Sequence, residues 1–261
     1  MKYALRIGVL AYLAAVLLAP VVLIFWRTFE HGLRAPWEAV TTPDAQHAFW
    51  LTVKITLIVV PLNTVFGIFC GLAIVRYRFP GKGLLNAVVD LPLALSPVVV
   101  GLSLYLLYGR AGWFGPWLAD HGVQVLFAMP AMVLATIFVS LPFVVREVVP
   151  VLREIGTDQE EAAATLGAGA FAIFRRVTLP SIRWAVAYGV VLTTARALGE
   201  FGAVSVVSGH IVGKTETLTL QVQNDFESFN VTGAYAASVL LGLMAVGTLV
   251  LMMTFRPSEN A

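Results

Sequence analysis

Charged residues are spaced along the 261-residue chain so that six long stretches carry almost none. Residues 7–26, 55–75, 122–145 and 228–255 hold no charge at all. Residues 83–109 hold only Asp90, and residues 184–209 hold only Arg196 and Glu200. A bilayer core about 30 Å thick needs roughly 20 apolar residues of helix, and each stretch supplies them. Backbone polar groups in lipid have to bond to one another, so stretches of this length predict helices. The expected elements are six spans, at about 7–26, 52–75, 84–108, 125–146, 184–208 and 233–255, in one all-α integral membrane domain over residues 1–261. No fixed-period repeat, low-complexity tract or linker divides it.

Orientation follows from lysine and arginine in the short loops. One side collects Lys2, Arg6, Arg76, Arg78, Lys82, Arg146, Arg153, Arg175, Arg176, Arg183 and Arg256; the other collects Arg27, Arg34, Arg110 and Lys214. Eleven against four predicts that both termini are cytoplasmic. Lys54 and Arg196, at the edge of or inside spans, do not enter that count. The apolar run after Arg6 has 20 residues and passes into Phe25-Trp26-Arg27. A secretory signal has a core of about 7–15 residues and a small-residue cleavage site, so the run is read as a retained first span.

Composition agrees with the pattern. Hydrophobic residues make up 59% and charged residues 12%, whereas a soluble domain carries about 25% charged residues. A net charge of +2 reflects the loop asymmetry and implies no nucleic-acid partner. Cys70, the single cysteine, lies in the second span and excludes an intrachain disulfide or a thiolate metal site. His31, His47, His121 and His210 fall in expected outer loops without ligand spacing, so no metal site is expected.

The longest hydrophilic insertion is residues 146–183, on the cytoplasmic side. Thr157 with Glu160 three residues on reads as a capping box, and Asp158 and Glu160 suit a helix N-terminus. Good helix formers follow from Glu161 to Leu166, and Gly167 and Gly169 permit a sharp turn. A second short helix is expected from Phe171 to about Thr178, ending before Pro180. Among the spans, Pro61, Pro92, Pro97, Pro130 and Pro142 are read first as kinks. Asp90-Leu91-Pro92 and Ser96-Pro97 are alternatively the marks of a broken helix beside a path. Gly67-x-x-x-Gly71 fits close helix packing.

Residues 161–180 read EAAATLGAGAFAIFRRVTLP. They resemble the EAA loop of importer-type ABC permeases: Glu161, Ala162, Ala163, Gly167, Leu179 and Pro180 fit the spaced pattern, with Val177 where isoleucine is usual. Asp90 to Gly109, Pro142 to Leu152 and Val190 to Val222 extend the resemblance to the permeases of sulfate, thiosulfate and molybdate importers. The run ARALGEFGAVSVVSG is most similar to the sulfate/thiosulfate branch, and within it to the W-type subunits that pair with a related T-type subunit. The resemblance implies the type I importer permease fold in a bacterial inner membrane, with a coupling loop at about 153–181. It implies that this chain is not an enzyme and binds no cofactor itself, with ATP and magnesium held by a cytoplasmic ATPase dimer. A periplasmic sulfate-binding protein would deliver the oxyanion, and membrane lipid surrounds the spans.

Two letter patterns are set aside. Ser208 to Thr215 lacks the first glycine of a phosphate loop and is expected on the outer side; Gly167 to Ala172 fits a dinucleotide fingerprint but follows no strand. No catalytic constellation is present. Candidates for the translocation path or for helix pairing are Asp90, Ser96, Thr193, Thr194, Arg196, Glu200 and Ser205. A charge at a span centre costs roughly 2.5–3.5 kcal/mol, so Arg196 and Glu200 are expected to face protein or water, paired at i,i+4. Neutral hydroxyls suit transient passage of an anion. A molybdate or tungstate permease remains an alternative, as does an ion-coupled secondary anion transporter, although the latter has no use for the loop at Glu161.

Overall fold

The computed structural model describes residues 2–30 and 32–255, and side chains over 6–30 and 32–250. His31, Arg256 and the Lys2 side chain, named above, lie outside the described residues. Helix α1 (Arg6–Phe29) leads through α2 (Arg34–Val40) to α3 (Pro43–Arg76). Thr42 starts α3: its hydroxyl oxygen accepts the Ala45 N–H at 3.2 Å, with Pro43 and Asp44 filling the first turn. With 34 residues, α3 is about 51 Å long at 1.5 Å per residue. It therefore takes in His47, expected in a loop.

The third span is broken rather than kinked. Helices α4 (Lys82–Ala94) and α5 (Pro97–Tyr108) meet at 113°. Pro92 stays inside α4, and the break falls at Leu95 and Ser96, where Pro97 drives the preceding residue into the extended region (Ser96 φ −62°, ψ 135°). After the short α6 (Gly115–Asp120), α7 (Met129–Glu154) runs past Pro142 and beyond the expected boundary at residue 146. It continues because Val148, Val149 and Leu152 form a buried face.

Helix α8 (Asp158–Thr165) precedes α9 (Ala170–Leu198), which bends by 50° into α10 (Gly202–Ser208). The short helix expected to stop before Pro180 is continuous with α9. A widened π-type turn over Phe174–Thr178 makes this possible, since i→i−5 bonding leaves room for the proline ring and does not call on its missing N–H. Helices α11 (Leu218–Glu227) and α12 (Val231–Phe255) complete the described chain. Helices α1, α3, α7 and α12 are long and apolar enough to cross a membrane, and the bent pairs α4–α5 and α9–α10 bring the total to as many as six.

Helix α7 is the central mast, packed between α3 and α9. Glycines set this closeness: a Cβ on Gly67 would lie 2.6 Å from Val144, and one on Gly189 would lie 2.8 Å from the Val144 backbone. Buried Asn63 on α3 donates to the Ile137 carbonyl at 3.1 Å and the Ser140 hydroxyl at 2.8 Å, both on α7. Helix α10 packs on α5 and α7, and α12 on α2 and α11. None of the most apolar 18-residue stretch of α1 is buried.

Candidate functional site

Two regions hold the residues singled out from the sequence. The first is the cytoplasmic loop. Helix α8 begins after Gly156 (φ +64°) and carries Asp158, Glu160 and Glu161 in its first turn, where the helix dipole favours acids. It ends in a Schellman motif. The Gly167 N–H donates to the Ala164 carbonyl at 3.0 Å and the Ala168 N–H to the Ala163 carbonyl at 3.1 Å, with Gly167 left-handed at φ +84°. The chain thus reverses at Gly167 and enters α9.

The expected capping box does not form. The Thr157 hydroxyl donates to the Glu161 carboxylate at 2.7 Å instead of receiving a backbone N–H. Glu160 turns inward, because a guanidinium is available: Arg76 at the end of α3 places Nε 2.9 Å from Glu160 Oε2. A charge-assisted contact outcompetes a neutral cap. Glu161 and Ala162 are exposed and Ala163 is half-buried. Leu179 packs against the Val144–Leu152 cluster, and Pro180 is exposed at the foot of α9. Leu166 and Phe171, passed over in the sequence, stand 87% and 74% exposed on either side of the turn. Leu166 had a local signal, an apolar residue beside Gly167; Phe171 had none, since it opens the apolar run Phe171-Ala172-Ile173-Phe174.

The second region is where the two broken spans meet. A Cβ on Gly202 would lie 2.9 Å from Pro97, and one on Gly101 would lie 2.7 Å from the Ala203 carbonyl oxygen, so the breaks are adjacent and α5 lies against α10. Ser96 is exposed at this corner, and Ser205 is half-buried with its hydroxyl donating to the Gly202 carbonyl at 2.9 Å. Arg196 and Glu200 pair at 2.8 Å. Glu200 is buried and also accepts the Ala203 N–H at 2.8 Å, capping α10. The Thr219 hydroxyl donates to the Glu200 carbonyl at 2.8 Å, and the Leu218 N–H donates to Thr52 on α3 at 3.0 Å. The break is therefore braced from α3 and α11.

The remaining candidates are dispersed. Asp90 on α4 forms an ion pair with Arg146 on α7. Thr194 donates to the Val190 carbonyl within its own helix at 2.7 Å. Thr193 is fully buried, and its hydroxyl has no hydrogen-bond partner among the described residues. The phosphate-loop look-alike folds as tight turns, with Gly209, His210 and Gly213 all at positive φ and the Thr215 hydroxyl donating to the Ser208 carbonyl at 2.7 Å.

Comparison with known proteins agrees with this architecture. The chain is 52% identical over 250 residues, covering 96% of it and 91% of the relative, to the sulfate transport system permease protein CysW of Synechocystis sp.. It is 39% identical over 233 residues, covering 89% of it and 84% of the relative, to the sulfate transport system permease protein CysT of Escherichia coli K12. Its fold matches a chain of a bacterial alginate ABC transporter solved with an alginate-bound periplasmic protein, at a TM-score of 0.79 and 16% identity over 96% of this chain and 92% of that one. The expected ABC importer permease fold is the observed one. Residues 63–256 match the family model described as binding-protein-dependent transport system inner membrane component, and the chain belongs to that family.

Proposed function

We propose that this chain is the permease subunit of an ATP-driven importer that carries sulfate, and thiosulfate with it, across the bacterial inner membrane. The observation that carries the coupling is the loop Asp158–Ile173: a Schellman turn holds Leu166 and Phe171 outward on the cytoplasmic side. The 52% identity to a sulfate permease over nearly the whole chain supports the cargo. ATP and magnesium belong to a partner ATPase dimer, for which Glu161, Ala162, Ala163, Gly167, Leu179 and Pro180 form the docking and coupling element. A second, related permease subunit is supported by the 39% likeness to a CysT protein, itself a sulfate transport permease. A periplasmic binding protein supplies the affinity that the path lacks.

The corner where α4–α5 and α9–α10 break is the proposed gate of the path. Broken helices put irregular backbone and hydroxyls at membrane depth, which is tolerated only where protein or a water-filled cavity receives them. Ser96 and Ser205 are its proposed neutral lining, while Thr193, fully buried, and Thr194, bonded within its own helix, act in helix packing. Asp90, Arg196 and Glu200 act in helix pairing, since each charge meets its opposite within the chain.

The test is uptake of labelled sulfate, thiosulfate and molybdate by a deletion strain carrying the chain with its partners. Sulfate and thiosulfate uptake that stops on ATP depletion and persists under a protonophore is expected. Uptake of molybdate alone would reassign the cargo, and uptake abolished by the protonophore while ATP is maintained would reassign the mechanism to ion coupling.

A further inference from the structure

The side-chain ion pair and hydrogen bonds that tie helix α8 to the other helices converge on one residue. Both turns flanking α8 are left-handed glycines, Gly156 at φ +64° and Gly167 at φ +84°, and none of its residues is buried. Among the described residues, Glu160 is the one α8 side chain that ion-pairs or hydrogen-bonds to another helix.

Arg76 and Glu160 join four elements. Arg76 ends α3, and its side chain is only 11% exposed. Nη1 donates to the Leu152 carbonyl at 2.9 Å and Nη2 to the Gly156 carbonyl at 2.6 Å, holding the last turn of α7 and the chain that leaves it. Nε lies 2.9 Å from Glu160 Oε2, and Nη2 donates to Oε1 at 3.2 Å. Oε1 also accepts the hydroxyl of Thr178, a buried residue in the π-type turn at the foot of α9, at 2.8 Å. One guanidinium and one carboxylate therefore connect α3, α7, α8 and α9. The guanidinium fork suits this because it presents several donors at fixed angles.

We propose that Arg76, Glu160 and Thr178 form a transmission latch, so that a displacement of α8 by the ATPase moves the cytoplasmic ends of α3, α7 and α9 as one body. The proposal rests on the reading of α8 as part of the coupling loop. It assigns the neighbours Glu160 and Glu161 opposite tasks: Glu161 faces outward toward the ATPase, and Glu160 faces inward as a positioning residue. The latch requires no chemistry of its own. It converts a push on a small exposed helix into movement of three spans that share the α7 mast.

The test uses the assembled transporter in proteoliposomes with sulfate-loaded binding protein. It reads ATPase co-purification and sulfate moved per ATP hydrolysed for Glu160→Ala, Thr178→Val and Thr178→Ser. The latch predicts wild-type co-purification throughout. It also predicts about a tenfold fall in sulfate per ATP for Glu160→Ala and Thr178→Val, within the usual range of coupling between two sites. Thr178→Ser, which restores the hydroxyl, returns the ratio to wild type. An unchanged ratio in Glu160→Ala overturns the proposal, as does loss of the ATPase from that variant, which would make Glu160 a docking residue. If Glu160→Ala fails to insert, the Thr178 pair decides: equal ratios for valine and serine overturn the latch. Failure of the coupling-loop reading is separate, because it shows as full ATPase assembly and coupling when Leu166 and Phe171 are both changed to aspartate.

Discussion

Glu200 accepts the backbone N–H of Ala203 at 2.8 Å while its other oxygen lies 2.8 Å from Arg196. The carboxylate closes the first turn of α10 and answers the guanidinium one turn back in α9. An anion path lined by this pair would meet a neutralised arginine, which is why hydroxyls rather than Arg196 line the proposed gate.

Removing the carboxylate loses the cap and strands a partly buried cation. Glu200→Ala is expected to destabilise the complex by about 3–5 kcal/mol, the usual cost of breaking a buried pair from one side. Glu200→Gln keeps an acceptor for Ala203 and costs much less. The check is the melting temperature of the detergent-solubilised complex. Equal melting for Glu200→Ala and wild type would show that the break is held by Thr219 and Thr52 alone.

The long apolar helices were legible in the sequence because the bilayer demands long charge-free helices, a requirement that acts on each segment separately. The first break was legible as one of two readings, at Ser96-Pro97; the second was not. Pro92 is accommodated inside α4 and the chain turns at Ser96, while the second break, at Gly199 to Phe201, contains no proline and depends on Thr219 from another helix. The loop at Glu161 was legible as a shape, since its helix formers and Gly167 act locally. Which of two adjacent glutamates faces inward was not: that is settled by Arg76, which lies 84 residues earlier.

Close packing on the α7 mast makes a specific double-mutant prediction. A Cβ on Gly71 would lie 2.9 Å from Val148 Cγ1 but 3.5 Å from Val148 Cβ. Gly71→Ala should cost about 1–3 kcal/mol as an overpacked core substitution, and Val148→Ala should restore most of it. At Gly67 the added atom would lie 2.6 Å from both Cβ and Cγ1 of Val144. Trimming Val144 to alanine leaves the Cβ clash, so that pair should not rescue. Thermal stability of the four single variants and two doubles tests both halves.

Glu216, in the turn between α10 and α11, is buried with the Asn224 amide donating to it at 3.1 Å. Burial pushes its carboxyl above the usual value; Asp225 and Asp44 push the same way, and the Asn224 bond and His210 oppose them. A raised folded pKa means that the folded loop holds the proton more tightly than the unfolded chain does. The stabilising contribution is therefore full below the unfolded value and lost as pH rises through the folded one. Glu216→Gln should make the loop less sensitive to pH and more resistant at neutral pH. Limited proteolysis of residues 209–217 in the reconstituted transporter, run from mildly acidic to mildly alkaline conditions, measures it. A variant with the wild-type pH profile would show that Glu216 is not the group responsible.

At Gly167 the backbone is left-handed at φ +84°, and nothing lies within 4 Å of an added Cβ, so conformation rather than crowding restricts the site. A β-branched residue there is strained by about 1–3 kcal/mol, more than the exposed turn between α8 and α9 has to spare. Gly167→Val should unwind the Schellman bonds of Gly167 and Ala168 and release Leu166 and Phe171 from their shared outward arrangement. The six-span bundle does not depend on this turn, so membrane insertion and yield should stay at wild type. ATPase co-purification should fall by about tenfold, the ratio that 1.4 kcal/mol of lost affinity produces. Gly167→Asn, which tolerates the left-handed region far better, should retain most of the ATPase. Strong retention by Gly167→Val as well would mean that the ATPase does not read the geometry of this turn.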